Sequence, residues 1–218
     1  ESVLAQFEII LLLYTYSKAK KPGRDSMTKP TITTALLCSL LSMPLLAQPQ
    51  ADSPKAMVAE ARSLVKSFGG SLKQALQAAI KEGGLTNGIG VCKTVAPEIA
   101  SNNSSGGWVI SRTSLKVRNP ENTPTDWQEI QLLAMDRQPV KNGKPVEVWQ
   151  VSEASGQPAF QYMSAIPTQK LCLGCHGKSI APEVKAKLAE LYPEDKATGF
   201  SEGDLRGAFV VTRDVPVN

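Results

Sequence analysis

From Lys55 to Ile80 the apolar positions recur at helical spacing, as Met57, Ala61, Leu64, Phe68, Leu72, Leu76 and Ile80. A single stripe at that period predicts an amphipathic helix, kinked where Gly69-Gly70 interrupts it and stopped by Gly83-Gly84. Residues 87–100 repeat the pattern, with Ile89, Cys92, Ala96 and Ile99 on one face and Pro97 expected in the first turn of a fresh segment. The period then shortens to two. Trp108 to Arg118 alternates like a strand that Asn119-Pro120 ends, and Asp126 to Met135 reads as a short helix. Strands from Val146 to Val151 and from Ala159 to Ile166 flank a hairpin at Ser155-Gly156-Gln157-Pro158. Pro182 opens a helix with Val184, Leu188 and Leu191 inward, Pro193 closes it, and Arg206 to Arg213 forms a last strand. Helices first and antiparallel strands afterwards predict an α+β domain.

The N-terminal part has a different character. Glu1 is not a methionine, so residues 1–26 are expected to be an untranslated upstream extension. Met27 opens a secretory signal: Lys29 supplies the positive start, Ala35 to Leu46 the apolar core, and Ala47 the small residue for cleavage. Leu37 stands where a lipoprotein signal needs a small residue before Cys38, which argues against a lipid anchor. Residues 48–54 are a polar linker, and 55–218 form the domain. The expected product is exported and periplasmic, a compartment in which thiols are oxidised or covalently used.

Composition narrows the class further. The 24 basic and 20 acidic side chains are spread without a basic cluster, which leaves no electrostatic footprint for nucleic acid. No apolar run reaches the roughly 20 residues that span a bilayer, so no membrane span is expected in the mature chain. A single histidine rules out a His-His metal site within one chain.

That histidine follows two cysteines in Leu171-Cys172-Leu173-Gly174-Cys175-His176-Gly177. Two thiols separated by two residues and followed at once by histidine form the attachment pattern of a c-type haem. Each thiol adds to one vinyl group, and the adjoining imidazole turns onto the iron as proximal ligand. A zinc site needs two further Cys or His ligands where the mature chain has only Cys92. A thioredoxin-like pair needs a βαβ context, and a plain disulfide leaves the histidine unexplained. One covalent haem is therefore expected, held by Cys172, Cys175 and His176. The second axial position stays open between Met57, Met135, Met163, Cys92 and no ligand at all. Arg112, Arg118 and Arg206 are candidates for pairing with haem propionates, since guanidinium grips carboxylate bidentately. Trp149, Phe160 and Tyr162 are candidates for the pocket wall, although aromatic strand residues are core by default.

Four segments in order resemble one family: Gly90 to Ala100, Gly107 to Pro120, the haem motif, and Tyr192 to Phe200 with Gly203 to Ala208. They are similar to single-haem c-type domains with a PAS-like fold, found as free exported proteins and as extracytoplasmic sensor domains of histidine kinases and related receptors. The resemblance covers most of residues 55–215. It implies a PAS-like antiparallel sheet flanked by N-terminal helices, with His176 proximal and Cys92 distal on the iron. A thiolate ligand donates electron density and favours the ferric state.

The expected role is a redox- or gas-responsive haem module in which nitric oxide, carbon monoxide or a redox partner protein acts at the iron. The alternative is a small periplasmic single-electron carrier. An enzyme, peroxidase-like included, is not expected, because turnover needs an open coordination position and a distal acid or base.

Overall fold

The structure, a computed structural model, describes residues 53–154 and 157–215. The expected upstream extension, signal segment and most of the linker lie outside the described residues, as do Cys38 and the tip of the 155–158 hairpin.

Helix α1 runs from Pro54 to Asn103. Ser53 caps it by accepting the Ala56 N–H, and Pro54 sits in the first turn, where a missing N–H costs nothing. Its break is at Gly83-Gly84, whose backbone leaves the helical region; Gly84 has φ 74° and ψ −170°, a conformation open essentially to glycine. The expected kink at Gly69-Gly70 is absent. Gly69 instead lets the Phe209 ring lie against the helix, where an added Cβ would meet the ring at 3.1 Å. The expected start of a new segment at Pro97 is also corrected. Pro97 lies inside the second half of α1, at the cost of one main-chain hydrogen bond.

Strand β1, Trp108–Thr113, leads through a short 3₁₀ turn at Pro120–Asn122 to helix α2, Asp126–Asp136. Thr125 and Gln128 form a capping box at its start. A small hairpin follows, β2 (Val140–Lys141) and β3 (Lys144–Pro145), turning on Asn142 and Gly143, both at positive φ. Strands β4 (Glu147–Ala154) and β5 (Gln157–Pro167) are longer than the alternation suggested. A 3₁₀ turn at Lys170–Cys172 runs into the four-residue helix α3, Leu173–His176. Helix α4, Pro182–Leu191, and strand β6, Leu205–Asp214, complete the described chain.

The main sheet has the order β1-β6-β5-β4, antiparallel throughout. Alternation gives each face a partner. Phe160, Tyr162, Val211 and Ile110 meet Met57, Ala61 and Phe68 of α1 on one face. Met163, Ala165, Ala208 and Val210 meet Leu132 and Met135 of α2 on the other. A third cluster packs Ile89 of α1 against Val184, Leu188 and Tyr192 at α4. The architecture is the expected α+β, an N-terminal helix against an antiparallel sheet, consistent with a PAS-like fold. Among the described residues no helix is long and apolar enough to cross a membrane.

Strand β1 stops five residues before the predicted end because Ser114 redirects the chain. Its hydroxyl donates to the Arg206 carbonyl at 2.8 Å and accepts the Lys116 N–H at 3.2 Å. The chain thereby leaves the sheet, and Ser114, Val117, Arg118 and Asn119 line a cavity.

Candidate functional site

The cavity holds about 440 Å³ and lies between the second half of α1, the segment after β1, and α3. That volume suits a small molecule or cofactor. The break at Gly83-Gly84 lets Ile89, Cys92 and Ala96 face it, with Arg112 and Arg118 opposite. Cys172, Cys175 and His176 come from the turn into α3, and Tyr192 and Arg206 also line it. Seven of the residues singled out from the sequence, Cys92, Arg112, Arg118, Cys172, Cys175, His176 and Arg206, thus meet at one place. Two glycines make the motif compact. At Gly174 a Cβ would meet Leu85 at 2.9 Å, and at Gly177 it would meet the Leu173 carbonyl.

The other candidates fall elsewhere. Met57, Met135 and Met163 are buried in the two sheet-face cores and do not line the cavity. The expected aromatic wall is corrected too. Phe160 and Tyr162 lie beneath α1, while Trp149 stands half exposed on the edge strand, stacked on Phe160 at 6.2 Å. Alternation sends these strand side chains to the sheet faces, away from the end where the cavity opens.

His176 is oriented by its own surroundings. Its Nδ1–H donates to the Ala197 carbonyl at 2.7 Å, which fixes the tautomer and leaves the Nε2 lone pair for another partner. Burial, followed by the charges of Arg206 and Arg118, pushes its pKa down to about 2, so the imidazole is neutral. Burial raises the Cys175 thiol above its ordinary value. Burial pushes Tyr192 up to about 12, with the nearby Cys92 acting in the same direction.

The three arginines differ in kind. Arg118 is buried and pairs with Asp195 at 2.9 Å. Arg112 and Arg206 form no ion pair among the described residues. Desolvation is the largest influence on both, lowering Arg112 and bringing Arg206 down to about 10. Arg206 donates to Ser114 Oγ at 3.1 Å and lies over the Phe200 ring, and Arg112 lies over Phe68. Two desolvated cations without a carboxylate favour an occupant that brings negative charge.

The sequence reading missed Asp195, the Ala197 carbonyl and Tyr192. All three sit within the Tyr192-to-Phe200 segment, yet nothing in residue type or spacing marks their roles. No group of three or more His, Cys, Asp or Glu side chains among the described residues is placed to hold a bare metal ion. The thiols and imidazole are spread around a cavity, an arrangement that suits a larger group.

A model of the Tll0287-like family matches residues 26–213. The chain belongs to the Tll0287-like family. The crystal structure of the cyanobacterial haem protein Tll0287 is similar, with 26% identity and a TM-score of 0.51 over 76% of this chain and 99% of that one. No curated protein matches the chain. This Tll0287-like chain thus combines the fold of a haem protein with a cavity that gathers two motif thiols, a tautomer-fixed imidazole and two unpaired guanidinium groups.

Proposed function

We propose that this Tll0287-like protein is an exported, periplasmic monohaem c-type protein that responds to redox state or to a small gas at the iron. The observation that carries the reading is the Nδ1–H bond of His176 to Ala197, which leaves Nε2, 3.4 Å from Arg118 Nη1, with a lone pair to give at a cavity also lined by Cys172, Cys175 and Cys92. Membership of a family that includes a haem protein supports it.

Cys172 and Cys175 would each add their S–H across one vinyl group, the sulfur bonding to carbon and the hydrogen going to its neighbour, with no leaving group. His176 would give Nε2 to the iron, and Cys92 would approach from α1. When bound, the haem supplies an iron centre that takes up or releases one electron. Arg112 and Arg206 would hold the two propionates by matching charge, while Arg118 has its own carboxylate and is excused from that task. We propose no enzymatic role: with Cys92 and His176, the chain's single histidine, both given to the iron, no histidine would remain to serve as an acid or base there.

Sensing is favoured by the hinge. Cys92 is carried on a helical segment that is joined to the first half of α1 through the non-helical pair Gly83-Gly84 and packs back on that half, with Gly88 against Leu76 and Ile80 and Ser67 donating to Asn103. Loss of the Cys92 contact would therefore be transmitted as a rotation of that segment. A second reading, the electron carrier, draws on Leu171, which is 37% exposed at the cavity and places the motif edge near solvent. Exposure of the reduced protein to nitric oxide or carbon monoxide separates the two. Displacement of the sixth ligand is expected; inertness in both oxidation states would favour the carrier.

A further inference from the structure

A buried ion pair borders the proximal side of the cavity, and the haem reading assigns it no task. Arg118 and Asp195 keep only 6% and 10% of their side-chain surface exposed. Asp195 uses both oxygens: one accepts the Ala197 N–H at 2.8 Å, and the other accepts Nη2 of Arg118 at 2.9 Å. Nη2 also reaches the Cys175 carbonyl at 2.6 Å and the Ala197 carbonyl at 3.3 Å. The carbonyl that holds His176 Nδ1–H is therefore gripped from two sides. Nη1 has a separate contact, 3.4 Å from His176 Nε2. A metal at Nε2 would take over that single contact and leave the three made by Nη2.

We infer that Arg118 and Asp195 are positioning residues for His176 and set the redox poise of the iron it holds. The inference rests on the haem reading of His176. Two effects combine. The pair fixes the backbone from Asp195 to Ala197, and so the aim of the imidazole. The guanidinium also competes for the Ala197 carbonyl lone pairs, so the imidazole receives less electron density than a carboxylate partner would give it. The two charges nearly cancel while both are present. Removing one exposes the other to the iron across a low-dielectric wall, where charge acts strongly. An unpaired guanidinium disfavours the more positive ferric state, whereas an unpaired carboxylate favours it.

The experiment is a redox titration of haem-loaded wild type, Asp195→Asn and Arg118→Gln. At a fixed ambient potential the ferrous-to-ferric ratio is expected to rise at least threefold in Asp195→Asn and fall at least threefold in Arg118→Gln, about 30 mV each way. Shifts of the same sign, or none, in folded and loaded protein would overturn the assignment, because loosening alone has no reason to change sign. Arg118→Lys keeps the charge but not the fork. It is expected to hold the potential near wild type while the His176 Nδ1 proton of the reduced protein exchanges faster with solvent. Should Arg118→Gln not fold, Asp195→Asn against Asp195→Glu decides the matter. The asparagine must shift the ratio and the glutamate restore it, and equal behaviour of the two is contrary. Isolation of wild type without haem would sink the preceding reading instead. The nitrogen shifts of the chain's one histidine would then still test this one: Nδ1–H in wild type and a mixed tautomer in Asp195→Asn support it, and no difference overturns it.

Discussion

His176 has a small choice of states, and its neighbours remove all but one. Burial, followed by the charges of Arg206 and Arg118, disfavours a second proton on the imidazole, so it stays neutral, and Ala197 takes its one N–H. Cys92 is the residue whose role is most exposed to test. It is half-buried, shares a face with Ile89 and Ala96, and lines the cavity that holds the motif thiols. Cys92→Ala is expected to convert a low-spin ferric spectrum to high-spin while haem content stays unchanged. A spectrum identical to wild type would remove Cys92 from the iron. The motif residues were legible in the sequence because their chemistry is local: five consecutive positions carry the whole pattern. Asp195 was not, because its partner Arg118 is distant along the chain and acts through a backbone carbonyl that has no side-chain signature.

At the scale of elements, the two glycine pairs of α1 show what periodicity can and cannot locate. Both pairs interrupt the apolar stripe, and the spacing alone reads the first as a kink and the second as a stop. The structure separates them by surroundings: Gly69 is pressed by Phe209, and Gly84 adopts a conformation closed to other residues. Gly84→Ala is accordingly expected to destabilise the fold by about 1–3 kcal/mol. Gly70, exposed in an unbroken helix with nothing near its missing Cβ, should gain about 0.5–1 kcal/mol when replaced by alanine. Urea unfolding of the two variants checks the contrast, and equal effects would contradict the placement of the hinge. The β2–β3 hairpin could have been read from Asn142-Gly143, since both central residues of such a turn need positive φ. Strand β1 was overextended because its alternation continues through residues that the Ser114 hydroxyl pulls out of the sheet.

Across the whole molecule, α1 is held to the sheet edge by more than its apolar stripe. Arg62 of α1 pairs with Glu147 of β4, and Glu147 also accepts the Tyr162 hydroxyl at 2.6 Å. The Arg62 hydrogen bonds are the chief reason that the Glu147 carboxyl sits below its ordinary pKa, with Tyr162 adding to the effect against the opposing cost of burial. A depressed carboxyl stabilises the fold fully above its unfolded value, near 4.3, and loses that contribution as pH falls through the lower folded value. Thermal unfolding between pH 5 and pH 2 should therefore fall less steeply in Glu147→Gln than in wild type, and parallel slopes would exclude the linkage. The layered α+β plan was legible in the chain because the shift from helical to alternating spacing records which faces are buried. The convergence of Cys92, Arg112, Arg206 and the motif on one cavity was not, because it depends on how α1 bends and on where β1 leaves the sheet.

Mass measurement of the purified protein under denaturing conditions, beside a Cys172→Ala/Cys175→Ala variant, reaches the central claim most directly. The wild type is expected to be coloured and heavier than its polypeptide by one haem that acid-acetone cannot extract, and the variant to have the bare mass and lose its colour on extraction. A colourless wild type with the mass of the polypeptide alone would contradict it.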